Sequence, residues 1–312
     1  MRERPIRRGF VREAGLAIAP LLALLAVLPL LYNNQLLLLN AVVFLVLAQG
    51  LNLTYGFSGY LPFGYVGFFG AGAYGFALAT LHAAAPPLAA VLAGGLAAGL
   101  AGLLLAPLLR LQGAYFGLAS LAAAEALRHT IANPDLEALT GGPYGVRLDV
   151  PYAPRLTYGL ALAILGLTMG VVAFLRHSRF GLRLRAARDN PISAATAGID
   201  VVRGRLTVWL VSATAAGLIG AVFAWSAPTF FPDAVFDISF SIFAIVFTLF
   251  GGAGTLLGPV IGVAVLYGTY TAIGVSAPQY FQLVYGLLIM ALVMFFPDGL
   301  AGIRMPWRRR DD

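Results

Sequence analysis

The sequence predicts an all-α, polytopic membrane helix bundle of about ten transmembrane helices, on three observations. The 312-residue chain is 60% hydrophobic and 11% charged, whereas soluble domains carry roughly 25% charged residues. Apolar runs of about 20 residues, the length that crosses a bilayer, fill nearly all of it. Its twenty basic residues are all arginine and cluster in alternate connections between those runs, the pattern that orients a membrane protein.

The elements follow in order. Residues 1–14 are a basic N-terminus with five arginines. The apolar run behind them has no convincing small-residue cleavage site, so it reads as an uncleaved first span. A transmembrane domain covers 15–303, and 304–312 form a basic C-terminus. Apolar segments fall at 15–32, 35–54, 61–81, 86–109, 113–132, 157–175, 206–227, 238–251, 255–274 and 280–297. The eighth and tenth are short, and the count drops to eight or nine if a Gly-rich segment only re-enters the membrane. With the N-terminus cytoplasmic and an even count, both termini lie inside, and only Arg128, Arg147 and Arg155 of the twenty arginines face outward. The largest outward loop, 133–156, is rich in Gly and Pro and too short to be a ligand-binding domain. Capture of a dilute solute would need a separate protein.

Residues 176–205 stand apart as a cytoplasmic, Arg-rich island between two apolar blocks, with seven arginines against Asp189 and Asp200. Asn190 and Pro191 suit the cap and first turn of a short helix, and Gly198 suits its exit. Upstream, Phe180, Leu182 and Leu184 interleave with Arg179, Arg183 and Arg185 on an amphipathic element too short to span. Such an element can lie on the membrane surface or enter a groove on a partner protein; its length and helix signals favour docking.

Within the spans, small residues recur every four positions: Gly67, Ala71, Gly75; Gly95, Gly99; Ala213, Gly217, Ala221; and Ala216, Gly220, Ala224. In lipid this spacing is read first as close helix packing. Glu125 is the only acidic residue well inside a segment. It shares a helix face with Arg128 and His129, so it either pairs internally or borders a polar path. Asn40, Gln49 and Asn52 suit interhelical hydrogen bonds. The stretch 56–64, with three glycines and Pro62, interrupts helical periodicity, as backbone lining a transport path does.

The chain has no cysteine, and its three histidines are far apart, which leaves no thiolate or His-spaced metal site. Without lysine it has no P-loop, so any ATP that drives it binds another subunit. No nucleophile–His–acid set or carboxylate pair appears, and the chain reads as a non-enzyme.

Several of these runs together resemble the permease subunits of bacterial branched-chain amino-acid ABC transporters, of the LivM type. They are GLNLTYG at 50–56 with GYVGFFGAGAY at 64–74, LTGGPYG at 139–145, and SRFGLRLRAAR at 178–188 continuing through AGI at 197–199. GGAGTLLGP at 251–259 and FFPDGL at 295–300 complete the series. Tyr65, Ala195 and Pro143-Tyr144 stand where the family often has His, Glu and a Ser-Asn pair. The resemblance implies a ten-span fold similar to the cobalamin-importer (type II) permease, in a bacterial inner membrane. It also implies a second homologous permease subunit, two cytoplasmic ATPase subunits that bind ATP and Mg, and an extracytoplasmic solute-binding protein; no cofactor binds this chain.

The expected function is uptake of branched-chain or related hydrophobic amino acids, with a urea or short-amide permease and a self-sufficient secondary carrier or channel as alternatives. Asn52, Ser58, Tyr65 and Glu125 are the candidates for the permeation path. Arg179, Gly181, Arg183, Arg185, Arg188 and Gly198 are those for the ATPase-coupling loop.

Overall fold

The computed structural model describes residues 14–276 apart from 33, together with 286 and 290. Nine of the ten expected apolar segments fall on helices; the tenth, 280–297, lies outside the described residues, as do the FFPDGL run, most of the basic N-terminus and the basic C-terminus. In chain order the helices are α1 (Ala19–Leu31), α2 (Gln35–Leu51), α3 (Val66–Ala83), α4 (Pro87–Leu104), α5 (Gly113–Ile131) and α6 (Pro154–His177). There follow α7 (Arg179–Asp189), α8 (Pro191–Thr196), α9 (Val201–Ser226), α10 (Ser239–Gly251) and α11 (Gly258–Ser276). Among the described residues five helical stretches are long and apolar enough to cross a bilayer: Gln35–Gly56, Pro87–Leu104, Pro154–His177, Val201–Ser226 and Pro232–Gly251. Shorter apolar helices cover Gly15–Leu31, Val66–His82 and Gly258–Thr269. The chain is therefore an all-α, multi-pass membrane protein.

The third segment was expected from 61, but α3 starts at Val66, because Pro62 and the flanking glycines hold 57–65 out of the helix. The Arg-rich island is narrower than its composition implies. Helix α6 runs through His177 and α9 begins at Val201, which leaves 178–200 between them.

Helix α2 runs through the middle of the bundle. From Leu38 to Leu51 nearly every side chain is buried, as expected of a helix apolar all round. Helices α6, α9, α10 and α11 surround it. Phe44 on α2 meets Phe240, Phe243 and Phe247 of α10 and Tyr267 of α11, with ring centroids 5.3–5.6 Å apart. Helices α3, α4 and α9 form the other half, held together by backbone approach rather than by side-chain bulk. Gly72 has no room for a Cβ against the Gly217 backbone, Gly217 none against Ala98, and Gly220 none against the Phe69 carbonyl. Where neither side of a contact is water, such proximity supplies the van der Waals attraction that holds helices together.

Pro29 inside α1 cannot donate to Leu25 four residues back. The freed Leu25 carbonyl accepts instead from the Tyr158 hydroxyl of α6, at 2.7 Å, and the helix continues past the proline.

The connections fall into two groups, one at each end of the bundle. One group joins 133–153 to 227–238: Val146 pairs antiparallel with Phe230 and Arg147 with Thr229, and Leu148 N donates to Pro228 O at 2.8 Å. His82 Nε2 lies 2.9 Å from Leu139 O in the same group. The other group joins 52–64, 105–113, 178–200 and 252–257. The arginines of 105–113 and 178–200 fall in one set and Arg147 in the other.

The close approach of α3 and α9 predicts an asymmetric response to alanine. Gly72→Ala will lower stability by about 1–3 kcal/mol, the usual cost of overpacking. Gly170→Ala on α6, with open space at its Cβ position, will change it by less than about 0.5 kcal/mol. Thermal unfolding of the purified protein compares them.

Candidate functional site

The site is built where α2 stops being an α-helix. At Asn52 the helix widens into a π turn, Asn52–Gly56, and the chain then runs without regular structure until Val66. π turns and helix breaks strand backbone groups that need partners from elsewhere. Here the partners come from three other parts of the chain. Gly64 N donates to Ser120 Oγ of α5 at 3.2 Å, and Val66 N to Ser241 Oγ of α10 at 2.8 Å. The Gly56 carbonyl accepts from Arg188 Nη1 of α7 at 2.6 Å.

A fourth part of the chain, the Gly-rich turn between α10 and α11, is held to the same place by side chains of α2. Asn52 Oδ1 accepts from Gly254 N at 2.6 Å, and Asn52 Nδ2 donates to Thr255 O at 2.8 Å. One turn earlier, Gln49 Nε2 donates to Leu256 O at 2.7 Å. Two buried amides on one face of α2 thus bind three consecutive residues of the turn. Gly56 and Gly254 allow the approach: a Cβ on Gly56 would sit 2.9 Å from Gly254 Cα, and Gly254 has φ +81°.

The Arg-rich segment folds as two short helices beside this cluster. Ser178 caps α7 by accepting from Gly181 N at 3.0 Å. Gly181 is pressed on the Leu175 backbone so closely that no side chain fits, which turns α7 sharply off the end of α6. Leu184 and Ala187 are buried while Leu182 is exposed, so the apolar side follows helical spacing rather than the alternation of Arg and apolar residues. Asn190 caps α8 by accepting from Ile192 N and Ser193 N at 3.1 and 3.0 Å, and Gly198, φ +79°, lies just past its end.

Arg179, Arg183 and Arg185 are exposed, and Arg185 Nη2 donates to Arg176 O at 3.2 Å. Arg188 differs from them: its side chain runs inward past Gly59 to the carbonyl of Gly56. Arg205, at the start of α9, donates to the Tyr60 hydroxyl at 3.0 Å and lies over the Tyr60 ring, 4.8 Å from its centroid. Tyr60 in turn donates to Leu109 O at 3.2 Å, which ties 105–113 to the same end. Between these elements opens a cavity of about 420 Å3, lined in part by Ser58, Gly59, Tyr60, Arg188 and Arg205.

The side chains of the four expected path residues make different contacts. Asn52 is fully buried and ties α2 to the 254–255 backbone. Ser58 lines the cavity, its hydroxyl donating to Thr54 O at 2.5 Å. Tyr65 is packed inside, donating to Ser212 O at 3.0 Å and resting against Gly50; Ser212 Oγ donates to Gly50 O at 2.6 Å. Glu125 follows Ala124, which packs against Gly64 and Gly67 on either side of Tyr65, and its side chain pairs elsewhere. Its carboxylate accepts from Arg128 Nε at 2.8 Å, and Arg128 Nη1 reaches Asp233 Oδ1 at 2.6 Å. That ion pair is the internal Glu125–Arg128 arrangement, extended to a third residue that nothing in the sequence marks. Gln49 carried a polar signal and Arg205 a basic one. Ser120, Ser212, Ser241 and Thr255 carried none, being small hydroxyls in apolar runs.

A family model described as the permease component of a branched-chain amino acid transport system matches residues 35–293. The chain is 30% identical over 151 residues to a probable branched-chain amino acid transport permease protein LivH of Methanocaldococcus jannaschii, covering 46% of each chain. It is 28% identical over 231 residues to the high-affinity branched-chain amino acid transport system permease protein LivM of Salmonella typhimurium, and 27% to that of Escherichia coli. Each of these two matches covers 64% of this chain and 53% of the relative. The chain thus spans about half the length of the curated relatives it matches. No solved structure matches it.

The Asn52 latch is testable directly. Asn52→Leu keeps the volume and leaves Gly254 N and Thr255 O without their partner, at about 1–3 kcal/mol for each buried group stranded. A lowered midpoint of thermal unfolding is the expected result.

Proposed function

The chain belongs to the branched-chain amino acid transport permease family, and from that premise we propose that it is the membrane subunit of an ABC importer taking up branched-chain or related hydrophobic amino acids. In this reading two cytoplasmic ATPase subunits, which bind ATP and Mg, supply the energy. A second homologous permease completes the pore, and an extracytoplasmic solute-binding protein delivers the substrate. The chain sits in the inner membrane with both termini and the 176–205 segment on the cytoplasmic side, and it holds no cofactor itself.

The observation that carries the reading is the contact between Arg188 and the Gly56 carbonyl, at 2.6 Å. An Arg-rich helix pair with three exposed guanidinium groups is a surface for an acidic partner. The same pair grips the broken end of the central helix from behind. A push on α7 and α8 by closing ATPases then moves the end of α2 and, through Asn52, the 252–257 turn. Such a linkage converts motion outside the membrane into reorientation of helices within it, as alternating access requires.

Two outcomes follow. Replacing Arg183, Arg185 and Arg188 together with Ala will uncouple ATP hydrolysis from uptake in the complete assembly while the chain still inserts; unchanged uptake removes the docking role. In liposomes holding this chain alone, a proton or sodium gradient will drive no uptake of leucine. Flux there would make it a secondary carrier instead.

A further inference from the structure

The 420 Å3 cavity at the Arg188 end has a wall chemistry that transport coupling leaves unused. Tyr55, Phe63 and Phe116 give it an aromatic side, Arg188 and Arg205 a cationic one, and no carboxylate lines it. Arg188 spends one N–H on Gly56 O. Arg205 spends two, on the Tyr60 hydroxyl and on Ala187 O, and its Nε is buried without a partner. Among the described residues neither guanidinium has an acidic side chain within 4.0 Å. Other arginines do find acids: Arg128 holds Glu125 and Asp233, and Arg203 holds Asp200 at 3.1 Å.

Arg205, with its Nε buried and unpartnered, is an incomplete set beside this wall, because a cation drawn out of water needs a counter-charge; the exposed Arg188 adds a second positive charge at the rim. The guanidinium fork fits a carboxylate, and the aromatic wall fits a hydrocarbon chain rather than a hydrated inorganic ion. Helix α5 opens on the same wall at Gly113 and Ala114, with no side chain capping its first turn, and adds to the positive potential.

We propose that this cavity binds a small amphipathic monocarboxylate, its carboxylate between Arg188 and Arg205 and its chain against Tyr55, Phe63 and Phe116. With no acid in the lining, an α-ammonium group finds no charged partner, so the site selects the carboxylate and the hydrocarbon and ignores the amine. Branched-chain amino acids and the branched acids derived from them by loss of the amine share this chemistry. Because Arg188 also holds the Gly56 carbonyl, an occupant competes for the side chain that links α7 to α2. Accumulated product would thereby slow the importer from inside, a consequence that rests on the orientation and coupling proposed above.

The test is equilibrium binding of radiolabelled 4-methylpentanoate to the full chain, purified with the subunits that accompany it, in nanodiscs of neutral lipid. Saturable binding is expected, displaced by leucine and not by 4-methylpentanamide. Arg188→Gln should weaken it about tenfold or more, the worth of one charge-assisted hydrogen bond. Arg188 is exposed, so this variant reports even if Arg205→Gln does not fold. Absence of saturable binding overturns the site, as does binding indifferent to Arg188→Gln, or displacement by the amide. Displacement by inorganic phosphate, or by exchanging the neutral lipid for phosphatidylglycerol, overturns it in favour of a phosphate site. ATP-driven uptake is measured on the same preparation: uptake without binding sinks this site alone, and binding without uptake leaves the site standing while the transport reading falls.

Discussion

A helix that breaks inside an apolar bundle must find hydrogen-bond partners for the backbone groups it strands, and the Arg188 end of this protein is arranged around that need. Helix α2 gives way at Asn52, and regular structure resumes only at Val66. In water the stranded groups would be solvated; in hydrocarbon each would cost several kcal/mol. Ser120, Ser241 and Arg188 answer for Gly64, Val66 and Gly56, while the Asn52 side chain satisfies backbone groups of the α10–α11 turn. The break thereby ties together five otherwise separate parts of the chain. A Gly-rich interruption that looks like weakness in the sequence is held by single side chains from several elements.

The ends of the bundle are held by different kinds of contact. At the Arg128 end a two-residue antiparallel ladder, the Leu148–Pro228 hydrogen bond and the Arg128 bridge between Glu125 and Asp233 act in parallel. Through the middle, α3, α4 and α9 touch backbone to backbone, a fit that admits no sliding without a clash. At the Arg188 end the links between elements are single side chains. A charge-assisted hydrogen bond contributes about 1.5–3 kcal/mol, whereas separating the glycine-lined helices would mean losing many contacts at once. The mechanical soft point and the Arg-rich helix pair coincide.

Much of this was legible from residue types. The alternation of apolar segments sorted the connections into two groups, and the contacts join 133–153 to 227–238 in one of them. Asn190, Pro191 and Gly198 announced α8, and the 56–64 interruption announced the break. Gly217 and Gly220, singled out by their spacing, do lie against neighbouring backbone. The spacing also misled in detail. Gly95 and Gly99 face the side chains of Leu218 and Thr214, and the tightest partner of Gly217's helix, Gly72, belonged to no stripe. Periodicity says that a helix has a small face; which neighbour meets it is a tertiary fact. The path candidates fared in the same way. A polar residue in an apolar run signals an obligatory partner, but the signal is identical for Asn52, whose partner is a turn about 200 positions away, and for Glu125, whose partner is three residues off.

The geometry of α7 explains why a force on its exposed face would reach α2 undiminished. Gly181 against the Leu175 backbone and the Ser178 cap fix the angle at which α7 leaves α6. Leu184 and Ala187 seat its other face, so the helix has little freedom to roll. Arg183 and Arg185 are exposed, and Arg188, on nearly the same face as Arg185 but at the last turn of the helix, sends its side chain to Gly56; a rigid helix of this length carries one to the other as a single body. If α7 were a flexible basic loop lying on lipid, its arginines would be interchangeable. In a lever they are not, and the distinction between Arg188 and its exposed neighbours is written in the hydrogen bond to Gly56.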